Sequence, residues 1–135
     1  MFIRCSIIGC TIQISSKVAT VDDLTTVEHL RAEVRSFVER RDWRQYHTPK
    51  NLAMSIAIEA AEIMEHFQWL TVDESAAALA DPEVHHAVAD ELADVMIYCL
   101  SFANSAKIDV STAVLAKLEH NESRFPVERV RGQLG

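Results

Sequence analysis

The segment from Leu52 to Leu70 is apolar around almost the whole circumference of a helix, and this feature restricts the possible folds most. A surface helix normally carries a broad polar face. Here the polar side chains follow one another at spacings of 4, 3, 4 and 3 residues, which makes a single narrow stripe on a helix. The stripe consists of Ser55, Glu59, Glu62, His66 and Trp69. A helix with so little polar surface is buried, so the stripe should face an internal cleft.

A second segment repeats this arrangement. Between Val95 and Ala103 the clearly polar side chains are Tyr98 and Ser101, and both lie on one stripe. The spacings along that stripe are 3, 4, 3 and 4 residues, and its members are Glu91, Asp94, Tyr98, Ser101 and Ser105. Each of the two stripes contains a pair of carboxylates three residues apart. Two neighbouring buried helices would therefore bring four carboxylates to one cleft.

Prolines and capping residues mark the helix boundaries. Thr48-Pro49 and Asp81-Pro82 each read as an N-cap followed by proline at the first helical position, and Pro126 should end the last helix. Further start signals are the capping boxes Thr25-x-x-Glu28 and Thr71-x-x-Glu74, and the cap Asp109. The pattern predicts main helices over 26–42, 49–70, 82–106 and 110–124, with a short helix near 73–80. The fold class is thus all-α, a four-helix bundle.

The predicted organisation is one folded domain over 21–127, a flexible leader over 1–20 and a loose tail over 128–135. The start of the leader has one arginine and several isoleucines, but polar residues interrupt it and no clean cleavage site follows. No apolar run reaches the roughly 20 residues of a membrane span. The three cysteines form no metal-binding pattern and are an odd number for a disulfide framework, which favours the cytoplasm.

Composition excludes several kinds of phosphate-binding site. No glycine lies between residues 10 and 131, which excludes a Walker loop and a GxGxxG turn. The net charge of −7 argues against a nucleic-acid polymer as partner, because such proteins need basic surface. A phosphorylated small molecule would have to be bound through side chains and a metal cation.

The carboxylate pairs Glu59/Glu62 and Glu91/Asp94 are the candidate metal ligands. Four carboxylates in a partly buried cleft repel one another, and a divalent cation removes that repulsion. All-oxygen ligation suits magnesium, or manganese in its place, rather than zinc or copper. A single ExxE pair usually lies on a solvated helix face, so the prediction depends on the narrow stripes of two successive apolar helices.

The predicted last helix carries the opposite charge. Lys117, Asn121 and Arg124 are spaced 4 and 3 residues apart and share one face. Cationic and amide donors there could hold phosphate oxygens or a ribose. An ordinary basic surface stripe would have the same spacing, so spacing alone does not assign them to the site.

These motifs resemble a known family. Glu59-x-x-Glu62, followed after 28 residues by Glu91-x-x-Asp94, is similar to the ExxE…ExxD signature of the MazG-like all-α nucleoside triphosphate pyrophosphohydrolases. Lys117-x-x-x-Asn121-x-x-Arg124-Phe125-Pro126 resembles the ending of the same group. The segment 41–52 (RDWRQYHTPKNL), with Phe67-Gln68-Trp69, looks closest to the dCTP pyrophosphatase branch. The resemblance covers roughly residues 26–127.

The resemblance implies a helical protomer that assembles as a dimer or a dimer of dimers. It also implies that the four carboxylates hold magnesium on a triphosphate and serve as the catalytic residues. The implied contacts to base, sugar and phosphate are Trp43, His47, Trp69, Tyr98, Lys117, Asn121 and Arg124. The implied reaction is the attack of water on the α-phosphorus with pyrophosphate leaving, and Glu59 or Glu62 accepts the proton of the water. The implied role is sanitation of the nucleotide pool or control of dCTP-like nucleotides.

Two alternatives remain open at this point. A carboxylate-bridged di-iron protein would pair Glu-x-x-His with single glutamates, but neither Glu62 nor Glu91 is followed by histidine three residues later. A bound-iron spectrum would identify it. A catalytically inactive helical dimerisation module would turn over no triphosphate, even with abundant magnesium.

Overall fold

A computed structural model describes residues 20–133, and the predicted all-α fold class is confirmed for that part of the chain. It consists of α-helices and one short 3-10 helix. The helices are α1 (Val21–Leu24), α2 (Val27–Glu39), the 3-10 helix (Trp43–Gln45), α3 (Pro49–Glu65), α4 (Val72–Ala78), α5 (Pro82–Ala106), α6 (Val110–Arg124) and α7 (Val127–Val130).

The centre of the protomer is the pair α3 and α5, which pack along one another. Helix α2 packs on α5, and the 3-10 helix packs on α2. In the described part of the chain the buried apolar side chains come from these three long helices: Val38, Leu52, Leu100 and Ala103. Arg31 and Asn104 link α2 to α5 by two hydrogen bonds, Arg31 Nε to Asn104 Oδ1 at 3.2 Å and Asn104 Nδ2 to the Arg31 carbonyl at 3.0 Å.

Most of the predicted helix starts are confirmed. The Thr48 side chain accepts a hydrogen bond from the Asn51 amide at 3.3 Å, with Pro49 at the first helical position of α3. Asp81 caps α5 in the same way, accepting from the Glu83 amide at 2.8 Å. Asp109 caps α6, and Thr71 and Glu74 form the predicted capping box of α4. Each side chain satisfies an amide that has no partner within its own helix.

The predicted capping box Thr25-x-x-Glu28 is wrong by one residue. Thr26 is the N-cap of α2, and its hydroxyl accepts from the His29 amide at 3.1 Å. Thr25 instead ends α1, where its amide donates to the Val21 carbonyl at 2.9 Å. Helix α1 was not predicted.

Two predicted helices end earlier than expected. The helix predicted over 26–42 ends at Glu39, and Asp42 has a φ of 53°, a left-handed conformation that a right-handed helix cannot include. The helix predicted over 49–70 ends at Glu65, where the Phe67 amide bonds to the Met64 carbonyl three residues back. Trp69 therefore lies beyond α3 and does not continue its polar stripe.

Helix α6 makes no extended packing interface with the other described helices. All of its residues from Ser111 to His120 are exposed, and the apolar ones include Val114, Leu115 and Leu118. Leu115 is 67% exposed. An exposed apolar stripe on a long helix indicates that another surface is needed to cover it.

The leader predicted over 1–20 lies outside the described residues except for Thr20. Within the predicted tail the structure describes part of α7, while Leu134 and Gly135 also lie outside. The domain boundaries stay predictions. Among the described residues no helix combines the length and apolar character needed to cross a membrane.

Candidate functional site

Glutamates from α3 and α5 meet in one cluster. Glu59 and Glu62 are one turn apart on α3, and Glu91 lies on the facing helix α5. One carboxylate oxygen from each of the three residues lies within 4.8 Å of the others. Glu59 and Glu91 are half-buried, whereas Glu62 is exposed. The cluster therefore combines an open side with two carboxylates that are partly removed from water.

Burial and mutual repulsion make two of these carboxyls harder to ionise. Partial burial raises the pKa of Glu59, and the negative charges of Glu62, Asp94 and Glu91 raise it further. The pKa of Glu91 is raised by burial first and then by Glu62 and Asp94, while His66 acts in the opposite direction. The cluster is thus under electrostatic strain that a bound cation would relieve.

The donor set determines which cation suits the cluster. All three clustered ligand atoms are carboxylate oxygens, and no imidazole or thiolate among the described residues belongs to the group. Hard divalent cations prefer oxygen ligands, whereas zinc and copper favour imidazole or thiolate. The residues present fit a hard divalent cation.

Asp94 occupies a neighbouring position. It lies one turn after Glu91 on α5, is exposed, and acts electrostatically on both Glu59 and Glu91. It is not among the three residues whose oxygens lie within 4.8 Å of one another. The structure thus places three of the four predicted carboxylates together and the fourth at the edge of the group.

The predicted aromatic contacts lie in different surroundings. Trp43 packs edge-on against Phe37 with ring centroids 5.9 Å apart, and the Arg41 guanidinium lies 3.6 Å from the centroid of the Phe37 ring. Trp69 is 88% exposed in the turn after α3. Tyr98 is half-buried on α5, one turn after Asp94. Within the single chain these rings do not form one aromatic pocket.

His47 lines a cavity of about 230 Å³ between α2, α5 and the 3-10 helix. Its side chain is half-buried, and burial lowers the pKa of its imidazole. Ser101 lines the same cavity from α5 and is only 4% exposed. The remaining lining residues are Val34, Arg35, Val38, Glu39, Arg44, Asn104, Ser105 and Lys107.

Lys117, Asn121 and Arg124 lie on α6 and are not packed against the carboxylate cluster in this chain. Asn121 is half-buried and the two cations are exposed. The Arg124 guanidinium lies 5.0 Å from the centroid of the neighbouring Phe125 ring. Tertiary packing within one chain therefore does not bring this predicted group to the other candidate residues.

The cavity is only partly foreshadowed by the pattern of residues. Ser101 and Ser105 lie on the polar stripe of α5, yet they were not predicted as site residues. Arg35, Arg44 and Lys107 were not singled out either, because they come from three separate segments and share no periodicity. Their meeting depends on the turn at Asp42, which brings the 3-10 helix back against α2.

Comparisons with known proteins agree with this arrangement. The dCTP pyrophosphatase 1 proteins of Bos taurus and Homo sapiens are each 36% identical to the chain, over 107 and 106 residues respectively, or 79% and 78% of its length. The chain spans only about 63% of the length of these curated relatives. The solved structure of a pyrophosphatase from Archaeoglobus fulgidus is 44% identical and superposes with a TM-score of 0.69, covering 73% of this chain and 91% of that one.

The family model for the MazG-like family matches residues 54–132, a segment that contains the whole carboxylate cluster and α6. This match extends over more than half of the chain. The chain belongs to the MazG-like family.

Proposed function

We propose that this protein is a nucleoside triphosphate pyrophosphohydrolase that converts a nucleoside triphosphate, with dCTP-like nucleotides preferred, to the monophosphate and pyrophosphate. The observation that carries this proposal is the convergence of Glu59, Glu62 and Glu91 within 4.8 Å on two packed helices. Membership of the MazG-like family and the names of the dCTP pyrophosphatase and pyrophosphatase relatives support the reaction class.

The cation in this proposal is magnesium, held by Glu59, Glu62 and Glu91 with Asp94 beside them. When bound, the cation neutralises phosphate oxygens and makes the attacking water more acidic. The chain supplies the carboxylates that hold the cation, and one of the two α3 residues, Glu59 or Glu62, accepts the proton of the water. The other carboxylates hold the cation in position for the triphosphate.

The remaining predicted residues are assigned to the rest of the nucleotide. His47 and Tyr98 are half-buried on the same side of the molecule as the cavity and the α5 stripe, which suits contacts to base or sugar. Trp43 and Trp69 are exposed rings that can stack on a base. Lys117, Asn121 and Arg124 supply donors for phosphate or sugar oxygens.

We also propose that the active protein is a homodimer or a dimer of dimers. Helix α6 exposes an apolar stripe, and Lys117 and Asn121 flank that stripe at helical spacing. If α6 packs against a second copy of the chain, it brings Lys117 and Asn121 to that copy. The active sites would then lie near subunit boundaries, which explains why one chain leaves α6 apart from the carboxylates.

The biological role that follows is sanitation of the nucleotide pool or control of dCTP-like nucleotides in the cytoplasm. It needs no nucleic-acid polymer, which agrees with the acidic composition.

A nucleotide panel with magnesium, assayed for pyrophosphate release, tests the reaction. We expect pyrimidine deoxynucleotides to lead, with monophosphate and pyrophosphate formed in equal amounts. Asp94→Asn should lose nearly all turnover, while the control Asp90→Asn should keep it, because Asp90 lies on the same helix and is exposed beside His86. Purine triphosphates turned over about 100-fold faster than dCTP would contradict the base preference. Unaltered turnover in Asp94→Asn would contradict the site.

A further inference from the structure

Helix α6 is joined to the rest of the protomer by a short connection, residues 107–109. Lys107 ends α5 with a φ of 57°, a left-handed conformation that a right-handed helix cannot include. Asp109 then starts α6, and its side chain accepts a hydrogen bond from the Thr112 amide at 2.7 Å. Because α6 makes no extended packing interface with the other described helices, its direction depends on how this connection is held.

A pair of side chains from α2 and α5 lies next to this connection. Arg31 Nε donates to Asn104 Oδ1 at 3.2 Å, and Asn104 Nδ2 donates to the Arg31 carbonyl at 3.0 Å. Both residues are half-buried, so the two bonds are partly shielded from competing water. Asn104 comes three residues before Lys107. The pair therefore fixes the last turn of α5 to α2 directly before the chain turns into α6.

The charge of Arg31 also acts on Asp109, at the other end of the connection. Hydrogen bonds from Thr112 lower the pKa of Asp109 most, and the positive charge of Arg31 lowers it further. An ionised carboxylate at an N-cap accepts from the first amides of the helix and interacts favourably with the helix dipole. One side chain of α2 thus acts on both the end of α5 and the start of α6.

The length of α6 makes its direction important for the residues that it carries. Lys117 and Asn121 follow Asp109 by 8 and 12 residues, which places them about 12 Å and about 18 Å along the helix axis. A tilt of about 10° at the start of α6 would therefore move Asn121 by about 3 Å. A misplacement of about 1 Å can already cost an enzyme about 100-fold in rate. A small loss of constraint at residues 107–109 is enough to misplace both proposed donors.

We infer that Arg31, held by Asn104, is a positioning residue that fixes the direction of α6 and thereby places Lys117 and Asn121 for the reaction. The inference rests on the proposed function, in which Lys117 and Asn121 supply donors for phosphate or sugar oxygens. Arg31 acts on the substrate through α6 rather than by contact. Cation binding should not depend on it, because Glu91 lies 13 residues before Asn104, or about 20 Å along α5.

Kinetics of Arg31→Met and Asn104→Ala with dCTP and magnesium test the consequence for the reaction. Methionine keeps an unbranched apolar stem without the guanidinium, and either substitution breaks the pair. Each variant should lower kcat/KM at least about tenfold at a temperature at which it is folded. The double variant should lose little more, because the two residues act as one unit. The rise in melting temperature on adding magnesium should equal that of the parent.

Arg40→Met is the matched control, since it makes the same chemical change on the same helix. Arg40 is exposed, and its bond to Ser36 Oγ at 3.0 Å stays within α2 instead of joining two helices. The control should therefore keep the kcat/KM of the parent.

Pulsed EPR measures the direction of α6 without turnover. Nitroxide labels at Asp90→Cys and Glu122→Cys, both at exposed positions, report the distance between α5 and α6. The three native cysteines are replaced by serine, and labelled chains are diluted with unlabelled ones so that only distances within one chain are recorded. The distance distribution should be narrow in the parent and in Arg40→Met, and broader in Arg31→Met and Asn104→Ala.

The two measurements separate this inference from the proposed function. The same distance distribution in the parent and in both variants would overturn the inference. A broader distribution with unchanged kcat/KM would overturn it as well, because the direction of α6 would then not matter for the reaction. So would a lost magnesium response, which would place the defect in the α3–α5 pair. A parent that releases no pyrophosphate from any nucleoside triphosphate would overturn the proposed function, while the distances decide separately whether Arg31 directs α6.

Discussion

At the scale of single residues, the candidate site brings together carboxylates that repel one another, and the proposed cation would relieve that repulsion. Glu59 and Glu91 are partly removed from water and face other carboxylates, which raises the pKa of both. Neighbouring acidic residues outside the stripe, such as Glu65 and Asp90, are exposed and are not members of the cluster of three glutamates. Substitutions inside the cluster should therefore affect stability and activity in opposite directions, whereas substitutions outside it should affect neither.

Replacing Glu62 by glutamine should separate activity from stability. The amide keeps the shape but removes one negative charge, so the metal-free protein should melt at the parent temperature or higher. Turnover should fall at least about 100-fold, because the cation loses a ligand. Added magnesium should raise the melting temperature of the parent in a concentration-dependent way and that of the variant much less.

Glu65→Gln is the matched control, since it makes the same chemical change on the same helix but off the stripe. It should keep both the activity and the thermal response to magnesium. Equal magnesium responses in Glu62→Gln and Glu65→Gln would show that Glu62 does not take part in cation binding.

The raised pKa of Glu59 and Glu91 also predicts a pH dependence. The folded protein holds these two protons more tightly than the unfolded chain, whose glutamates have the ordinary value of 4.5. Their contribution to the free energy of unfolding is therefore largest at low pH. It declines as the pH rises from about 4.5 through the higher pKa of the folded state. Magnesium competes with the same protons, so more magnesium should be needed as the pH falls.

Thermal unfolding of the metal-free parent and of Glu59→Gln/Glu91→Gln, compared from about pH 4.5 to about pH 7.5, measures this contribution. The difference in stability, variant minus parent, should grow as the pH rises. The pKa of the capping carboxylates Glu74 and Asp109 is lowered, so their contribution to stability has the opposite pH dependence. Both groups are present in the parent and in the variant, and their contribution therefore cancels in the difference. A difference that does not change with pH would contradict the assigned shifts.

At the scale of helices, short capping interactions define where the site-bearing elements begin. Thr48 and Pro49 fix the start of α3, and Asp81 and Pro82 fix the start of α5. The two helices that begin there pack along one another, and they carry Glu59, Glu62 and Glu91.

Removing the α3 cap should cost stability without abolishing the fold. Thr48→Ala leaves the Asn51 amide without its side-chain acceptor, which should lower the free energy of unfolding by about 1 kcal/mol. Thr48→Ser keeps the hydroxyl and should stay close to the parent. Urea unfolding of the three proteins measures both effects. Equal losses in the alanine and serine variants would mean that the methyl group, not the hydrogen bond, is what matters.

At the scale of the whole molecule, one described protomer leaves much apolar surface uncovered. The buried apolar side chains of the described residues are few, whereas α6 exposes Val114, Leu115 and Leu118 along one face. Stable soluble proteins rarely leave such a stripe in water. This surface is the physical basis for the proposed assembly.

Leu118→Glu should dissociate the assembly. A charge in the middle of the α6 apolar stripe has to be desolvated at the interface, and we expect the dissociation constant to rise at least about 100-fold. Light scattering at micromolar concentration should show smaller particles. Turnover should fall as the assembly dissociates, because α6 carries the proposed substrate contacts Lys117 and Asn121.

Ala116→Glu is the matched control, because Ala116 lies on the opposite side of α6 and is exposed. It should keep the size and activity of the parent. A parent that is a stable monomer, or a Leu118→Glu variant that assembles like the parent, would contradict the proposed role of α6.

The order of residues is enough to predict the all-α class, the caps at Thr48, Asp81 and Asp109, and the meeting of Glu59, Glu62 and Glu91. These features depend on local hydrogen bonds and on the 3.6-residue period, which the order of residues encodes directly. The end of α3 at Glu65, with Trp69 exposed beyond it, is seen only in the folded chain. The same holds for the turn at Asp42, which brings His47 to the cavity beside Ser101. Those outcomes depend on how separate segments pack together, and no periodicity within any one segment records such packing.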